Sequence, residues 1–204
     1  MMEQKHPYLR KDERRAMIAE AARGLILEKG YAALRTRDVA SRVGINPSTL
    51  HFHVPTKASL VALVAETTRE SFLALLPPAP DPARPALVQL RAETTAYHDS
   101  LRDHPELAAC FAQLRQIAGT EPEVAELLDT FTQAWCQRYV EILTIGLTQG
   151  VFRADLKPLP AALALTGALT AFGPRAPDGL AMFWPVFDEI ERGFLAAPPH
   201  RGEG

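Results

Sequence analysis

Cysteine is scarce in this sequence, and long apolar runs are missing from it. Two cysteines among 204 residues cannot build a disulfide framework. Cys110 and Cys136 both stand in apolar stretches of helical period, so we expect buried free thiols, with a pocket thiol or a redox sensor as the alternative. No stretch reaches the about 20 apolar residues that cross a bilayer. The N-terminus is polar and charged, without the pattern of a signal peptide, so we expect a cytoplasmic protein.

The sequence also lacks the motifs of common enzyme active sites. It contains no glycine-rich phosphate loop, nucleophile elbow, His-Glu-x-x-His run or paired-cysteine motif. One polar group near the end of the fifth predicted helix could bind a metal, although a solvated helix end is the simpler interpretation. Its members are His98, Asp99, Asp103, His104 and Glu106. We therefore predict neither an enzyme nor a metal or cofactor site.

Charge is nearly balanced overall but unevenly distributed. The net charge of −2 hides a basic N-terminal part: residues 1–57 hold 11 Lys and Arg against 6 Asp and Glu, while residues 58–204 hold 11 against 18. A basic head on an acidic body is typical of a protein that docks one end on phosphates. Chance clustering is the alternative, and the charge pattern alone does not decide between the two.

Proline and glycine punctuate a sequence that is helical in period and shows no strand-like alternation. We predict an all-α fold with about nine helices. They are expected near residues 12–29, 37–43, 47–53, 57–76, 83–103, 105–118, 122–149, 159–172 and 178–197. Thr120 with Glu123 resembles a capping box ahead of the longest helix.

The second and third predicted helices are short and carry strong start and stop signals. Thr36 is a candidate N-cap for the first of them, and Gly44 can close it in a left-handed conformation. Asn46 is a candidate N-cap for the next, with Pro47 at the first helical position. Thr56 is placed to cap the long fourth helix. Two short helices separated by a tight turn are the arrangement of a helix-turn-helix DNA-binding motif.

The second helix of such a motif must present small or specific side chains to base edges in the major groove. Pro47, Ser48 and Thr49 suit its first turn, because they are small and two of them carry hydroxyls. Phe52 has no reason to be exposed unless it meets something apolar, such as a thymine methyl group. A place in the core of the head is the alternative for Phe52.

Basic side chains around this helix are candidates for phosphate contacts. Lys57 begins the fourth helix, where its ammonium and the free N–H groups of the helix end can bind one phosphate together. Arg35 and Arg37 flank the second helix, with solvated arginines as the alternative. His51 is expected to donate a hydrogen bond to a phosphate. For His53, contact with DNA and packing inside the protein are both open. The two histidines are two residues apart and cannot ligate one metal from a helix face.

Residues 14–64 resemble the N-terminal domain of the TetR family of bacterial transcriptional regulators. The shared pattern extends over some 50 residues with the spacing of all three helices. It comprises Ile18, Ala21, Ala22, Gly30, Tyr31, Thr36, Arg37, Val39, Ala40, Val43, Gly44, Thr49, Leu50, His53 and Lys57. Two positions depart from the family: His51 is usually tyrosine, and Val54 is commonly phenylalanine. Histidine at 51 leaves open a pH-sensitive component of DNA affinity.

The resemblance implies a homodimeric, ligand-responsive regulator with a homeodomain-like helix-turn-helix head. It places a flexible N-terminus at 1–11, the DNA-binding domain at 12–57, an effector-binding and dimerisation domain at 58–197, and a flexible tail at 198–204. The positions that face DNA in the family are Thr36, Arg37, Pro47, Ser48, Thr49, His51, Phe52, His53 and Lys57. We add Arg35 and Asn46 from their places beside the two short helices.

The C-terminal part carries weaker signals. The family dimerises through its last two helices, and the apolar positions that fit are Leu163, Leu165, Leu169, Phe172, Leu180, Phe183, Trp184, Phe187, Ile190 and Phe194. Small residues for close helix approach are Ala162, Ala164, Gly167 and Ala168. A pocket for a small hydrophobic or aromatic effector would be lined by Phe72, Tyr97, Cys110, Phe111, Leu114, Phe131, Trp135 and Tyr139. Ordinary core packing is the alternative for every member of both sets.

The sequence thus predicts a sequence-specific regulator that binds double-stranded DNA, most simply a homodimeric repressor released from its operator by a small molecule. A helical ligand-binding or protein-interaction module without DNA binding is the first alternative. A metal-dependent helical enzyme is the second.

Overall fold

The structure is a computed structural model that describes residues 11–196. Within that range the chain forms nine α-helices and one short 3-10 helix, Gly173–Arg175, which confirms the all-α prediction. The α-helices are α1 Lys11–Ala33, α2 Thr36–Val43, α3 Pro47–His53, α4 Lys57–Leu73, α5 Ala86–Asp103, α6 Pro105–Ala118, α7 Pro122–Thr148, α8 Pro158–Thr170 and α9 Phe183–Phe194. Over the described stretch, no helix is both long and apolar enough to cross a membrane.

The chain packs as two compact units. Among the described residues, the first unit contains 11–70 together with Cys110–Leu128, and the second contains Ser71–Ala109 together with 129–196. This division follows packing and differs from the functional division at residue 57, which stays a prediction. The flexible ends predicted at 1–11 and 198–204 lie outside the described residues, except for Lys11, which begins α1.

The backbone of the first unit follows most of the predicted start and stop signals. Gly30 interrupts α1 at φ 78° and ψ 163°. Gly44 adopts φ 76° and ψ 32°, a left-handed conformation that only glycine takes readily, and so closes α2. The Asn46 side chain accepts a 2.7 Å hydrogen bond from the Thr49 N–H, which confirms this N-cap. The predicted Thr36 cap is wrong, because the helix begins one residue earlier: Arg35 is the extended N-cap, and its carbonyl accepts from Asp38 and Val39.

Several helix ends in the rest of the chain differ from the predicted ones, first of all around the proline-rich segment. α4 ends at Leu73 rather than 76, and α5 begins at Ala86 rather than 83. Between them the Gln89 side chain donates to the carbonyls of Asp81 and Arg84, which holds the proline-rich segment in a fixed loop.

The capping box at Thr120 and the early start of the last helix are also wrong. Glu121 holds the N-cap position of α7, because its carbonyl accepts from Val124 and Ala125, so Thr120 lies one residue too early; its hydroxyl donates to the Ile117 carbonyl at the end of α6. The last helix was expected from 178, but α9 begins only at Phe183, because a 3-10 turn and two prolines at 174 and 177 precede it.

The core of the second unit is aromatic and aliphatic, with a few buried charges held in pairs. Phe183 and Phe187 of α9 and Tyr139 of α7 are fully buried. Arg138 donates two 2.7 Å hydrogen bonds to the Glu93 carboxylate and a third, of 2.8 Å, to the Pro77 carbonyl. A buried carboxylate needs such pairing, since an unpaired buried charge is strongly destabilising.

Candidate nucleic-acid interface

α3 lies in the first unit with one face buried and the other open to solvent. Leu50 and Val54 are buried and fix the helix to the unit, and the Asn46 cap satisfies an N–H of its first turn. The opposite face comprises the exposed residues Pro47, Ser48, His51 and Phe52, with Thr49 half-buried beside them. All the residues predicted to contact bases are thus on the accessible side of a short, capped helix.

Phe52 is the most exposed large apolar side chain of the head, with 79% of its surface accessible. Its ring meets the edge of the His53 imidazole, at 5.4 Å between centroids. The alternative that Phe52 belongs to the head's core is therefore wrong. An exposed phenylalanine in the last turn of a candidate groove-binding helix favours contact with a partner, which stays a prediction.

His53 is half-buried and lies close to the basic N-terminal turn of α1. Burial lowers the pKa of His53 below its usual value, and the charges of Arg14, Arg15 and Lys11 lower it further. Both effects favour the neutral imidazole, whose buried Nδ1 has no hydrogen-bond partner among residues 11–196. These features favour packing over phosphate contact for His53.

The basic residues Lys11, Arg14 and Arg15 were missing from the predicted site. Their effect on His53 places their charges near the C-terminal end of α3. The charge excess of residues 1–57 includes all three, but only the fold shows that α1 brings them to this side of the head. They extend the basic surface on which a phosphate backbone could dock.

Lys57 is the first residue of α4, and its helix start is well capped. Ser59 donates its N–H to the Thr56 hydroxyl at 2.9 Å, and Thr56 donates its N–H to the Ser59 hydroxyl at 3.0 Å, which confirms the predicted Thr56 cap. The Lys57 ammonium lies over the Tyr31 ring, 4.0 Å from the centroid. The Tyr31 hydroxyl in turn donates to Glu121 at 2.5 Å.

The flanking residues Arg35, Thr36 and Arg37 are all exposed at the start of α2. Arg37 makes only a 3.7 Å approach to Asp38, whose carboxylate is also bound by Lys29 at 2.5 Å. The Lys29 hydrogen bond holds the pKa of Asp38 below its usual value. A second bridge between α1 and α2 joins Arg42 to Glu28 through two 2.7 Å hydrogen bonds. These pairs orient α2 and leave Arg35 and Arg37 accessible for phosphates.

The residues predicted to line an effector pocket divide between the two units. Cys110, Phe111 and Leu114 are buried in the first unit. In the second unit Phe72, Tyr97, Phe131, Trp135 and Tyr139 form one aromatic cluster, with neighbouring centroids 4.9–6.0 Å apart.

Three polar atoms inside this aromatic cluster are buried with no hydrogen-bond partner in the described part of the chain. They are the indole nitrogen Nε1 of Trp135, the hydroxyl of Tyr139 and the hydroxyl of Thr94. Burial and, after it, the nearby Glu93 charge raise the pKa of Tyr139, while the Thr94 hydroxyl acts on that pKa in the opposite direction. Buried polar groups are nearly always paired, so this trio calls for an explanation.

A surface groove of about 460 Å³ lies elsewhere on the second unit, and none of the eight predicted pocket residues lines it. It runs along α5 between Leu76 and His104. The candidate metal group stands at its end, where Arg102 binds Asp103 through bonds of 2.8 and 2.7 Å and lies 3.0 Å from Asp99. The hydrogen bond from Arg102 lowers the pKa of Asp103. These carboxylates are thus paired with Arg102 at the solvated end of α5, as in the simpler interpretation of this group.

Both cysteines are buried free thiols, as predicted. Cys110 Sγ lies 3.4 Å from the Thr68 hydroxyl. Burial raises the pKa of Cys110 above its usual value, so the reactive thiolate is disfavoured. The redox-sensor alternative therefore gains no support.

Most of the predicted dimer interface is inside the protomer instead. Burial within a single chain removes these side chains from any surface, so the prediction is corrected for Leu165, Leu169, Phe172, Phe183, Phe187 and Phe194. Leu180, Trp184 and Ile190 are half-buried. Leu163 on α8, also in the predicted set, is exposed, and further accessible apolar side chains are Leu159 on α8, Met182 just before α9 and Leu195 just after it.

Comparisons with known proteins agree with the geometry of the head. Residues 18–64, which span α2, α3 and parts of α1 and α4, match the family model described as bacterial regulatory proteins, tetR family. The HTH-type transcriptional regulator EthR of Mycobacterium tuberculosis is 28% identical over 171 residues, covering 82% of this chain and 78% of EthR. The HTH-type transcriptional repressor KstR2 of the same species is 23% identical over 145 residues, covering 71% of this chain and 72% of KstR2.

Solved structures share the fold over nearly the whole chain. A transcriptional regulator from Saccharomonospora viridis, solved in complex with choline, gives a TM-score of 0.75 at 22% identity and covers 91% of this chain and 100% of its own. A TetR transcription regulator from Haloarcula marismortui gives 0.76 at 17% identity, with 91% and 100% covered. At these identities the structures establish the fold alone, while the family match and the named relatives are regulators rather than enzymes. Residues 18–64 therefore match the tetR family of bacterial regulatory proteins, and the chain is similar over 71–82% of its length to HTH-type transcriptional regulators.

Proposed function

We propose that this regulator is a homodimeric repressor that a small apolar or aromatic molecule releases from its operator. The observation that carries the DNA-binding part is the open face of α3, where Phe52 stands exposed between polar residues that suit base edges and phosphates. Repression is supported by the name of the relative KstR2. The same proposal requires a protein that works in the cytoplasm, beside DNA.

The DNA contacts divide into two kinds. Pro47, Ser48 and Thr49 would contact bases from the first turn of α3, and Phe52 from its last turn. The remaining predicted residues would contact phosphates and set the register of the helix on the duplex: Arg35, Thr36, Arg37, Asn46, His51 and Lys57. His53 is the member of the predicted set that the geometry supports least, because it is half-buried and this burial lowers its pKa, which disfavours the charged form.

Dimerisation is supported by the surface of α8. No charged residue occurs between Pro158 and Thr170, yet one face of this helix is open: Leu159 and Leu163 are 56% and 57% exposed, and Ala164 and Gly167 are exposed beside them. An uncharged helix is expected to be covered on all sides. Small residues next to two leucines permit close helix approach, so a second copy of the same helix is a fitting cover.

Two heads of such a dimer would occupy successive major grooves. Their recognition helices must then be about 34–36 Å apart, one turn of B-DNA. An effector that binds better to a state with another spacing lowers the affinity for DNA by the ratio of its affinities for the two states.

The effector chemistry is supported by the aromatic cluster of the second unit. Its rings favour a flat or apolar ligand. Trp135 Nε1 can only donate a hydrogen bond, and no described residue accepts it. A ligand with an apolar body and at least one carbonyl or ether oxygen would satisfy that donor.

Gel-shift and fluorescence measurements on one protein preparation test the proposal. Fragments of the source genome are incubated with the protein, bound fragments are sequenced, and a panel of aromatic ketones and esters is tested for release of the enriched fragment. Trp184→Phe leaves Trp135 as the sole tryptophan reporter, and Trp135→Phe is the matched control. Ligands that release DNA should quench the first variant and not the second. Specific capture of a protein, without any enriched DNA, would instead favour the interaction-module alternative.

A further inference from the structure

A three-residue contact in the first unit connects the predicted phosphate anchor to a distant part of the chain. Tyr31 follows the break at Gly30, Lys57 begins α4, and Glu121 immediately precedes α7. Lys57 lies over the Tyr31 ring at 4.0 Å, and Tyr31 donates to Glu121 Oε1 at 2.5 Å. The tyrosine and the glutamate are 90 positions apart in the sequence.

The geometry of the ring contact leaves the ammonium able to bind DNA. An ammonium group has three N–H donors and attracts the face of an aromatic ring through its charge. Since the ring offers no lone pair, the contact with Tyr31 need not consume the donors that a phosphate requires. It does restrict a flexible four-carbon side chain, whose freedom would otherwise be lost on binding.

The hydrogen bond to Glu121 fixes the ring from its opposite end. Tyr31 is half-buried, and burial together with this bond raises the pKa of Tyr31 to about 12. The hydroxyl therefore remains a protonated donor at any ordinary pH. Glu121 is itself held in place, because its carbonyl accepts the N–H groups of Val124 and Ala125 in the first turn of α7.

We propose that Tyr31 is a positioning residue for DNA binding, which holds the Lys57 ammonium ready for a phosphate and is itself held by Glu121. This inference rests on the proposed DNA-binding function. It assigns a role to two residues that are not among the predicted DNA contacts and that form a chain behind the anchor, from Lys57 to Tyr31 to Glu121. The role is sequence-independent, because phosphate contacts contribute to binding on any duplex.

A double-mutant cycle on a random-sequence DNA duplex tests the inference. Lys57→Met should weaken binding and lower the slope of log affinity against log salt by about 0.9, one phosphate contact. Tyr31→Leu should weaken binding about two- to fivefold, the worth of one exposed cation–π contact. In the Tyr31→Leu background the loss caused by Lys57→Met should shrink by the same factor.

The matched control is Lys29→Met in both backgrounds. Lys29 is another lysine of the first unit, but its ammonium pairs with Asp38 instead of an aromatic ring. Its effect on binding should be the same with Tyr31 or Leu at position 31. Tyr31→Phe and Glu121→Ala test the second contact: each should cost less than Tyr31→Leu, and the double variant should bind no more weakly than the worse single variant.

Failure of the inference and failure of the DNA-binding proposal give different results. A wild-type protein that shows no salt-dependent affinity for DNA contradicts the function itself. A wild-type protein that binds DNA, with an equal cost of Lys57→Met in both backgrounds, overturns the positioning role. Thermal unfolding by circular dichroism identifies the temperature at which all variants are folded, and the cycle is measured there.

Discussion

Phe52 is the residue that most directly connects the head's surface to sequence recognition. Because its side chain is 79% exposed, truncation removes little from the core. We expect Phe52→Ala to reduce discrimination between operator and random duplex by about 1 kcal/mol, roughly fivefold, the lower end for one specific base contact. The melting temperature should stay unchanged. Competition binding with the two duplexes measures the ratio.

Met17→Ala is the matched control for Phe52→Ala, since Met17 is also an exposed apolar residue of the first unit. It should change neither discrimination nor stability. Equal discrimination by wild type and Phe52→Ala would show that Phe52 does not contact a base.

The half-buried His53 gives the head a pH-dependent stability. Its folded-state pKa is lowered, mainly by burial, so the unfolded chain binds a proton more readily. This contribution to the free energy of unfolding is fully present above pH of about 6.5 and is lost as pH falls through the lower folded-state pKa. We expect His53→Gln to flatten that decline in melting temperature.

Melting curves between neutral and mildly acidic pH check the His53 prediction. His51→Gln is the matched control, because it removes an exposed imidazole two positions away. If the His51 variant flattened the decline and the His53 variant did not, the assignment of the buried titration would be wrong.

At the scale of helices, local chemistry determined what the sequence could predict. Asn46, Pro47 and Gly44 each satisfy a backbone requirement within four residues, and all three occur as expected. The N-cap predictions at Thr36 and Thr120 were wrong because in each case a neighbouring residue holds the N-cap position instead. Arg35, one residue before Thr36, is the extended N-cap of α2, and the Thr120 hydroxyl donates to the Ile117 carbonyl in α6.

Contacts between distant elements could not be predicted from the sequence. The Tyr31–Glu121 hydrogen bond joins residues 90 positions apart, and no sequence motif contains both of them. The sequence also did not predict which apolar residues of α8 lie in the core and which lie on the surface. A helix without charges has no amphipathic pattern, so its sequence does not show which face a neighbour covers.

Gly146 shows how one helix position limits packing in the second unit. A Cβ atom at this position would lie 2.1 Å from the Phe152 ring. We expect Gly146→Ala to destabilise the protein by about 1–3 kcal/mol through overpacking, despite the better helix propensity of alanine. Chemical denaturation measures the loss.

The control for Gly146→Ala is Gly193→Ala, at a helical glycine where an added Cβ meets nothing within 4 Å. That variant should be neutral or slightly stabilising. A stable Gly146→Ala protein would mean that Phe152 is free to move away.

At the scale of the whole molecule, dimerisation depends on the open face of α8. Leu163→Glu places a charge on that face without disturbing the protomer's core, since Leu163 is 57% exposed. We expect a folded monomer by sedimentation, because a buried unpaired carboxylate at the interface costs several kcal/mol.

Val88→Glu is the control for the α8 variant, as Val88 is a similarly exposed apolar residue on α5. It should remain dimeric. A dimeric Leu163→Glu protein would locate the interface elsewhere.

The central claim is that two copies of the chain bind one operator through their α3 helices. Selection of bound sequences from a random duplex library by the wild-type protein tests it most directly. The account predicts an inverted repeat whose half-site centres lie about 10–10.5 base pairs apart, or a multiple of that spacing, as two-fold symmetric heads require. Enrichment of a single unrepeated site, or of no sequence at all, would contradict it.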